Sequence, residues 1–552
     1  MLRYFARIFN SLNRPEKLVF YVAGGIFCGA LIVTLWTTFV THTTLEPARG
    51  GEYTEGLIGQ PTAINPMQIG SSSVDKDLTQ VLFADLLTLS HSVATSTTGK
   101  VWVVTLKQDM VWSDGKAITA DDVLFTVHTI QNPDAGSPLQ ASWQGITVDR
   151  VSQLEVRFTL KAPYAYFTDN LRSLRIAPAH IFESIPVSNI RLSNYNLEPV
   201  SSGPYLFVSY EKQRNGLITD YHLAANNDYP GTRALIENLN FKFFPSYTDA
   251  ILAFNRKAID GLGGFDQTDL PNLKISHQTF EVPMPHYYAL FLNPTGSTLL
   301  KDKNIRQALT LATDKEKIVE QVFNGHANVI EGPVPASLPG YDKAVYENNH
   351  FSREEAAAIL DKQLWKVGSD GIRVRTSGKT SQRLELELTV PDIDFLTATA
   401  SIIKEQWQAI GVHVTIKTVP TETIRAAAVE PRSYQVLLFG NILRANTDLY
   451  SFWDSSQRFQ PGLNLAVYQN KTVDQLIATT RTTFDEAKRL EALSKIQKHI
   501  NTDQPAIFLF APTYLYAGPN DLGGFAKPLL SSPEDRLSKV NDWFLETSRV
   551  FK

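Results

Sequence analysis

Cysteine is almost absent from this sequence, with Cys28 the only one in 552 residues. A single cysteine excludes an intramolecular disulfide and any cluster of thiolate metal ligands. An excess of basic residues is absent too, because 52 Lys and Arg stand against 56 Asp and Glu, for a net charge of -4. The charge balance therefore gives no reason to expect a nucleic-acid partner.

Signatures of enzymes and metal proteins are also missing. The chain has no G-x-S-x-G nucleophile elbow, and its 11 histidines never form a paired helical motif with metal-ligand spacing. The segment "SGKT" at 377–380 resembles part of a phosphate-binding loop, but Arg373 occupies the position of the leading glycine. We therefore expect a polar loop there, and we predict no enzymatic activity, no metal site and no cofactor.

One long uncharged run is present, from Leu18 to Val40. As a helix it would be about 34 Å long at roughly 1.5 Å per residue, enough to cross the bilayer core of about 30 Å. Arg14 and Lys17 precede it, together with Arg3 and Arg7. This excess of positive charge predicts a cytoplasmic N-terminus and places everything after about residue 41 outside the cytoplasm.

A cleaved signal peptide is the main alternative to a membrane anchor. The apolar run is longer than a usual signal core, and the only small-x-small site, Ala48-Arg49-Gly50, lies far beyond its end. Phe27 precedes Cys28, where a lipoprotein signal requires a small residue. We predict a retained anchor, with a basic cytoplasmic segment at 1–17, a spanning helix at 18–40 and a linker at 41–51.

The chain as a whole has globular proportions, with 43% hydrophobic and 20% charged residues. This length exceeds what one compact core holds, so two or three domains are expected. The alternating segments 100–106 ("KVWVVTL") and 384–390 ("LELELTV") predict strands, and the apolar residues of 434–440 predict a buried strand.

A βαβ unit is predicted within the following stretch. The strand at 384–390 precedes a helix from about 395 to 409 that ends at Gly411, and a second strand at 412–419 stops at Pro420. Such a crossover is right-handed in nearly all proteins. A further helix at 485–500 would place Leu490, Leu493, Ile496 and Ile500 roughly on one side. The predicted fold class is α/β.

Three carboxylates lie close together in 111–130, "VWSDGKAITADDVLFTVHTI". Asp114 precedes glycine in a predicted turn. Thr119 is suited to cap a helix, and Asp121 and Asp122 are suited to its first turn, where acids stabilise the positive end of the helix dipole. We therefore interpret all three carboxylates as structural rather than catalytic.

The same stretch, extended to "LKQDMVWSDGKAITADDVLFTVHTIQNP", resembles the fingerprint of bacterial extracellular solute-binding proteins of the oligopeptide and dipeptide class. Further segments resemble that family in the same order: "GLIGQPTAINPM" at 56–67, "SSGPYLFVSY" at 201–210, "LFLNPTGSTLLKDKNIRQALTLATDKEKIVEQVFNGHANVIEGPVP" at 290–335 and "DEAKRLEALSKIQKHINTDQPAIFLF" at 485–510. The resemblance extends from about 52 to 544.

The resemblance implies an α/β, two-lobed, periplasmic-binding-protein-like fold with three domains, preceded by the transmembrane helix. The first domain would combine 52–88, 203–289 and 505–552, and the second would be inserted at 89–202. These two domains would form the first lobe, and a third domain at 290–504 would form the second lobe. A ligand would be enclosed between the lobes by hinge closure.

The resemblance also implies partners. Members of this class capture peptides or other small solutes and deliver them to an ABC permease with its ATPase subunits. An extended peptide would be held by backbone hydrogen bonds, with water filling the space around its side chains. We expect a monomeric ectodomain, extracellular or periplasmic, held on the membrane. The alternative is a signalling or adhesion ectodomain that keeps the ligand-binding fold without transport.

The sequence departs from the family after the predicted strand at 434–440. Peptide-binding members carry a glycine-tryptophan motif there, with an aspartate three residues after the tryptophan that binds the peptide ammonium. A direct count from Gly440 puts Asn441 at the tryptophan and Arg444 at the aspartate. Arg444 would repel an ammonium and would suit a carboxylate or phosphate.

Two other interpretations of this loop are open. In the first, the loop is shifted and Asp448 takes the acidic role, because "DLYSF" resembles the end of the family motif. In the second, Arg444 is a solvated surface residue. We favour the shift because it preserves peptide chemistry. The predicted ligand contacts are Gly440, Asn441, Arg444, Asn446, Asp448 and Tyr450.

Overall fold

The computed structural model describes residues 11, 13–70, 72–443, 446–526 and 530–551. Its elements form because the two hydrophobic periodicities of the sequence alternate along the chain. The α-helices of the described residues are Arg14–His42, Ser73–Leu82, Leu86–Leu89, Ala120–Gln131, Gln140–Trp143, Phe167–Ser173, Ala179–Phe182, Tyr247–Asn255, Lys303–Leu311, Lys315–Phe323, Arg353–Lys362, Asp394–Gln408, Tyr450–Trp453, Lys471–Thr482 and Glu486–Asp503.

The strands are numbered in chain order. They are β1 (Thr43–Ala48), β2 (Glu52–Ile58), β3 (Ser90–Thr95), β4 (Val101–Leu106), β5 (Thr147–Ser152), β6 (Glu155–Thr159), β7 (Tyr205–Lys212), β8 (Ile218–Ala225), β9 (Asn238–Phe244), β10 (Gly261–Gly263), β11 (Gln278–Pro283), β12 (His286–Leu292), β13 (Ala327–Val329), β14 (Lys366–Val367), β15 (Arg373–Ser377), β16 (Thr380–Arg383), β17 (Glu385–Pro391), β18 (His413–Val419), β19 (Val436–Ile442), β20 (Ala506–Gly518) and β21 (Glu546–Phe551).

A 12-stranded sheet runs through the molecule. Its order is β18-β17-β19-β12-β20-β10-β2-β9-β8-β7, and β11 and β13 also pair with β20. Strands β17 and β18 are parallel and are joined by the helix Asp394–Gln408, which confirms the predicted βαβ unit. Strand β12 runs antiparallel between β19 and β20, so the sheet is mixed.

The start of the helix Ala120–Gln131 confirms the structural interpretation of its acids. Thr119 Oγ1 accepts a hydrogen bond from the Asp121 backbone N–H at 3.3 Å. Asp122 Oδ2 accepts one from the Thr119 backbone N–H at 2.9 Å, which completes a capping box. The helix packs against the antiparallel sheet β3-β4-β6-β5.

The buried apolar residues form clusters on either side of two chain crossings. Two clusters, the first-lobe core, draw their fully buried members from 53–282 and 514–543. Two others, the second-lobe core, draw theirs from 287–511. The cores therefore change over between Val282 and Tyr287 and between Ala511 and Tyr514. The domain bounds given above, at 289/290 and 504/505, stay predictions.

A buried charge network joins separate segments within the first-lobe core. The Arg536 guanidinium binds Glu55 at 2.7 Å and Asp77 at 2.7 Å. The Tyr516 hydroxyl donates to Glu55 at 2.6 Å and lies 2.5 Å from the Tyr53 hydroxyl. Because Arg536 binds both carboxylates, the network ties the C-terminal segment to β2 and to the helix Ser73–Leu82.

The helix Arg14–His42 has no buried residue and is long and apolar enough to cross a bilayer, a test that a signal sequence also passes. Strand β1 follows it directly and pairs antiparallel with β21. The register places Thr43 opposite Phe551 and Ala48 opposite Glu546. The two ends of the folded part are thereby joined beside the N-terminal helix.

The described structure refines the predictions for the helix at 485–500 and for the "SGKT" segment. Leu493, Ile496 and Ile500 are buried, whereas Leu490 is 37% exposed. Leu490 lies near the start of the helix Glu486–Asp503, at the edge of the core. The "SGKT" segment forms the tip of the hairpin β15–β16 rather than an irregular loop.

Candidate functional site

The candidate site lies where the chain crosses from one core to the other. Strand β20 spans both sides: its first residues pair with β12, and its last residues pair with β10 and β11. The other crossing lies between Pro283 and His286, where β11 ends and β12 begins. These two crossings are the places where the described chain passes from one core to the other.

The start of β12 and the end of β19 lie next to the crossing between Pro283 and His286. His286 pairs with Ile442 in the ladder between the two strands. Burial lowers the pKa of His286 to about 4, so its imidazole is neutral at physiological pH. Ile442 is 71% exposed, which is unusual for a strand residue of this sheet. The strand ends therefore present an uncharged, partly apolar surface.

Gly440 and Asn441, two of the predicted contacts, have structural partners. A Cβ atom at position 440 would lie 3.0 Å from a Tyr288 ring carbon, so glycine allows this ring to cover the strand. Asn441 is only 3% exposed, and its side-chain amide donates to the Tyr287 hydroxyl at 3.1 Å. These two residues shape the strand end by packing and hydrogen bonding.

The loop after β19 is held by its own side chains. Asn446 Oδ1 accepts a hydrogen bond from the Asp448 backbone N–H at 3.1 Å. Asp448 Oδ1 in turn accepts one from the Tyr450 backbone N–H at 3.1 Å. Both are local turns of the kind that Asn and Asp favour. Arg444, the remaining predicted contact, lies outside the described residues.

The carboxylate of Asp448 has further partners from distant parts of the chain. Its Oδ2 accepts hydrogen bonds from Arg481 Nε at 3.2 Å and from the Tyr164 hydroxyl at 3.0 Å. The Arg481 guanidinium lies between two rings, 4.3 Å from the Tyr450 centroid and 5.2 Å from the Tyr164 centroid. Cation–π attraction of this kind fixes the guanidinium against the carboxylate.

More contacts of the same two chain regions surround this pair. The Ala165 backbone N–H donates to the Arg481 carbonyl at 2.7 Å. The Tyr166 hydroxyl donates to the Thr447 carbonyl at 3.3 Å, and burial raises the pKa of Tyr166. We call Tyr164, Ala165, Tyr166, Thr447, Asp448 and Arg481 the bridging contact. It connects the segment predicted as the inserted domain with the segment predicted as the second lobe.

Of the six residues in the bridging contact, the sequence singled out Asp448 alone. Tyr164 and Tyr166 lie in "KAPYAYF", and Arg481 ends an ordinary amphipathic helix. Tyr164 and Asp448 are 284 positions apart, so no spacing rule relates them. Only the tertiary fold brings them together.

No group of three or more His, Cys, Asp or Glu side chains that could hold a metal ion occurs within the part of the chain that the structure describes. The described polar groups of the bridging contact instead pair with one another through hydrogen bonds and the Asp448–Arg481 ion pair.

Comparison with known proteins identifies this architecture. The profile of the family described as bacterial extracellular solute-binding proteins, family 5 Middle, matches residues 87–460. The chain is 26% identical to the oligopeptide-binding protein AppA of Bacillus subtilis over 520 residues, 91% of this chain and 92% of AppA. It is 25% identical to the probable D,D-dipeptide-binding periplasmic protein DdpA of Escherichia coli over 504 residues, 88% and 90% of the two chains.

Solved structures agree with these sequence relatives. The structure of Bacillus subtilis AppA in complex with a nonapeptide matches with a TM-score of 0.67 and 25% identity, covering 91% of this chain and 100% of that one. The substrate-binding protein CtaP of Listeria monocytogenes has the same fold, with a TM-score of 0.75 and 23% identity over 90% of this chain and 100% of CtaP. The predicted α/β, periplasmic-binding-protein-like fold is confirmed.

Proposed function

Because this chain belongs to the bacterial extracellular solute-binding proteins of family 5, we propose that it captures oligopeptides or related small solutes between its two lobes and delivers them to an ABC permease. The observation that carries this proposal is the match to AppA over 91% of the chain, since AppA is an oligopeptide-binding protein whose structure holds a nonapeptide. Solute capture is a binding function and requires no catalytic residue. The signalling or adhesion alternative gains no support from these relatives.

The ligand would lie between the first and second lobes, close to the ends of β12 and β19. The exposed Ile442 and the neutral His286 suit an uncharged part of a ligand, such as a peptide backbone with apolar side chains. The domain division at 52–88, 203–289 and 505–552, with an insertion at 89–202 and a second lobe at 290–504, is part of the proposal.

The protein would be held on the membrane by the helix Arg14–His42, with its N-terminus in the cytoplasm. The pairing of β1 with β21 supports a retained anchor. Cleavage near Gly51 would remove β1 and leave the backbone N–H and C=O groups of β21 without their partner strand. Each of these groups that does not form a hydrogen bond with water would reduce the stability of the fold. N-terminal sequencing of the protein from native membranes tests this: a mature chain that begins near residue 51 contradicts the anchor.

The function is tested by identifying what the protein binds. The full chain is purified in mild detergent, and mass spectrometry of copurifying small molecules identifies its ligands. Calorimetry with a synthetic nonapeptide then measures affinity. Peptides in the copurified fraction and saturable nonapeptide binding are expected. Copurification of a non-peptide solute, together with no measurable nonapeptide binding, contradicts the peptide part of the proposal.

Delivery to a permease needs a separate experiment. Reconstitution with a permease and its ATPase subunits should show ATP hydrolysis stimulated by the ligand-loaded protein. A permease and ATPase encoded beside this chain would supply the candidates. An absence of any stimulation with all of them contradicts delivery while leaving solute capture intact.

A further inference from the structure

The Asp448 carboxylate is already occupied by the protein's own groups. Its Oδ1 accepts from the Tyr450 backbone N–H, and its Oδ2 accepts from Arg481 and from the Tyr164 hydroxyl. Its side chain is only 15% exposed. A ligand ammonium at this carboxylate would have to compete with the positive charge of Arg481, which two tyrosine rings hold in place.

The partners of Asp448 come from both sides of the cleft. Asp448, Tyr450 and Arg481 all lie in the segment 290–504, so their mutual contacts can persist when the lobes separate. Tyr164 lies in 89–202, whose buried residues belong to the first-lobe core. The hydrogen bond from the Tyr164 hydroxyl to Asp448 must therefore break on opening.

Two more hydrogen bonds would break in the same movement. These are the bond from the Ala165 N–H to the Arg481 carbonyl, at 2.7 Å, and the bond from the Tyr166 hydroxyl to the Thr447 carbonyl, at 3.3 Å. The Trp102 and Phe484 rings, with centroids 5.9 Å apart, add an aromatic contact across the same boundary. Each of these interactions contributes only in the closed form.

We propose that the Asp448–Arg481 pair is a latch that receives Tyr164 and stabilises the closed form, and that Asp448 does not bind a ligand ammonium. This inference rests on the proposed function, because a latch matters to a receptor that closes on its ligand. Apparent affinity scales with the fraction of molecules in the binding-competent closed form. A weakened latch therefore reduces the affinity for every ligand by the same factor, whatever the charge at the ligand's N-terminus.

The test uses the full chain, the variants Tyr164→Phe and Asp448→Asn, and the two combined. Tyr195→Phe is the matched control, since Tyr195 lies in the same segment and is 42% exposed. Calorimetry measures binding of one nonapeptide with a free amine and of its N-acetylated form. Losing one net hydrogen bond predicts an affinity about 2- to 10-fold lower for Tyr164→Phe. The loss should be equal for both peptides, and Tyr195→Phe should bind as the unmodified protein does.

The double variant identifies the mechanism. If Tyr164 acts through Asp448, Tyr164→Phe should lose most of its effect in the Asp448→Asn background. An Asp448→Asn loss confined to the free-amine peptide would overturn the proposal and make Asp448 the ammonium anchor. Unchanged affinity of Tyr164→Phe for both peptides would overturn it as well.

A direct measurement of closure keeps the latch testable if the nonapeptide does not bind. Spin labels are attached at Leu192→Cys and Lys379→Cys in a Cys28→Ser background, one on each predicted lobe. Leu192 is 77% exposed, and Lys379 lies at the exposed hairpin tip. Without added ligand, Tyr164→Phe should shift the distance distribution towards longer values, and an unshifted distribution would overturn the latch. Failure of peptide binding alone contradicts only the proposed ligand.

Discussion

Two arginine–carboxylate clusters in this protein use the same chemistry in opposite surroundings. The Arg536 side chain is 2% exposed and its partner Glu55 is fully buried, whereas the Arg481 and Asp448 side chains are 32% and 15% exposed. The first cluster joins segments inside one core, and the second joins regions that belong to different cores. Burial decides whether such a pair stabilises the fold permanently or forms a contact that can break and re-form.

The difference arises from the free energy needed to leave a charge without its partner. Removing one partner from a buried pair leaves an uncompensated charge in a medium that solvates it poorly. When a partly exposed pair loses one partner, water can solvate the remaining charge, so the net contribution of the pair to stability is small. The Arg536 cluster is therefore expected to stay intact in the folded state, whereas the Asp448 cluster can form a reversible contact.

The largest effect is expected for Arg536→Met. This change would leave Glu55 and Asp77 buried without a cation, which typically costs about 3–5 kcal/mol of stability. Urea unfolding followed by tryptophan fluorescence measures it. The matched control is Arg383→Met, because Arg383 is 43% exposed and pairs with Asp370 and Glu385 at the surface. A much smaller loss is expected there, because water solvates the remaining charges, and equal losses in both variants would contradict the comparison.

The next prediction concerns pH. Burial raises the pKa of Asp77 from 3.8 to about 6, and the attraction of Arg536 offsets only part of this rise. At a pH between 3.8 and about 6, Asp77 is therefore mostly protonated in the folded state and mostly ionised in the unfolded state. The stabilisation is full below the unfolded pKa and is lost as the pH rises through the folded pKa.

Asp77→Asn should remove this contribution. Thermal unfolding of the unmodified protein and of Asp77→Asn is compared at pH 4 and pH 7. The melting temperature of the unmodified protein should fall further than that of the variant as the pH rises across this window. Parallel shifts in the two proteins would show that Asp77 does not titrate there.

A smaller effect is expected at the two adjacent acids Asp121 and Asp122. Asp122 is buried and accepts from the backbone N–H groups of Thr119 and Ala179, each at 2.9 Å. Asp122→Ala should therefore cost about 1–3 kcal/mol, the cost of leaving buried donors without partners. Asp121 is exposed and pairs with Arg150 at 3.2 Å, so Asp121→Ala should cost at most about 1 kcal/mol.

Melting temperatures of the two variants test this difference, and nonapeptide affinity serves as the control. Both variants should bind as the unmodified protein does, because neither acid lies at the crossings. A large loss of affinity without a loss of stability would place a ligand contact in this helix start.

The smallest change in stability is expected for Tyr164→Phe. The hydroxyl contributes to a contact between lobes rather than to a core, so the free energy of unfolding should change by less than about 0.5 kcal/mol, as at most surface positions. Urea unfolding checks this. A loss of stability comparable to that of Arg536→Met would mean that the bridging contact belongs to the permanent fold.

Much of the fold was predictable from local patterns. The alternation of Leu384 to Val390, the helix that follows and the next strand predicted the βαβ unit, because each element needs only its own periodicity. Thr119 predicted a helix start that the structure confirms. The exposure of Leu490 was not predictable, because the edge of a core is set by neighbouring elements, which helical spacing does not contain.

The candidate site was predictable only in part. The loop at 440–450 was located from its departure from the family pattern, and its proposed ligand contacts remain a prediction. The sequence could not relate Asp448 to Tyr164 or Arg481, because these contacts depend on how two lobes meet. The further role of Asp122 was hidden for the same reason, since its hydrogen bond from the Ala179 N–H comes from a distant segment.

The elements, the α/β class, the apolar N-terminal helix and the family resemblance could all be predicted from the amino-acid sequence, because periodicity, caps and local motifs are written within short stretches. Which arginine is buried with two carboxylates, and which one contacts residues of the other core, depends on the tertiary fold. Arg536 and Arg481 are the same residue type in amphipathic surroundings, and no local pattern separates them. Burial and long-range contact are properties of the assembled chain, and they set the free energy of a charge.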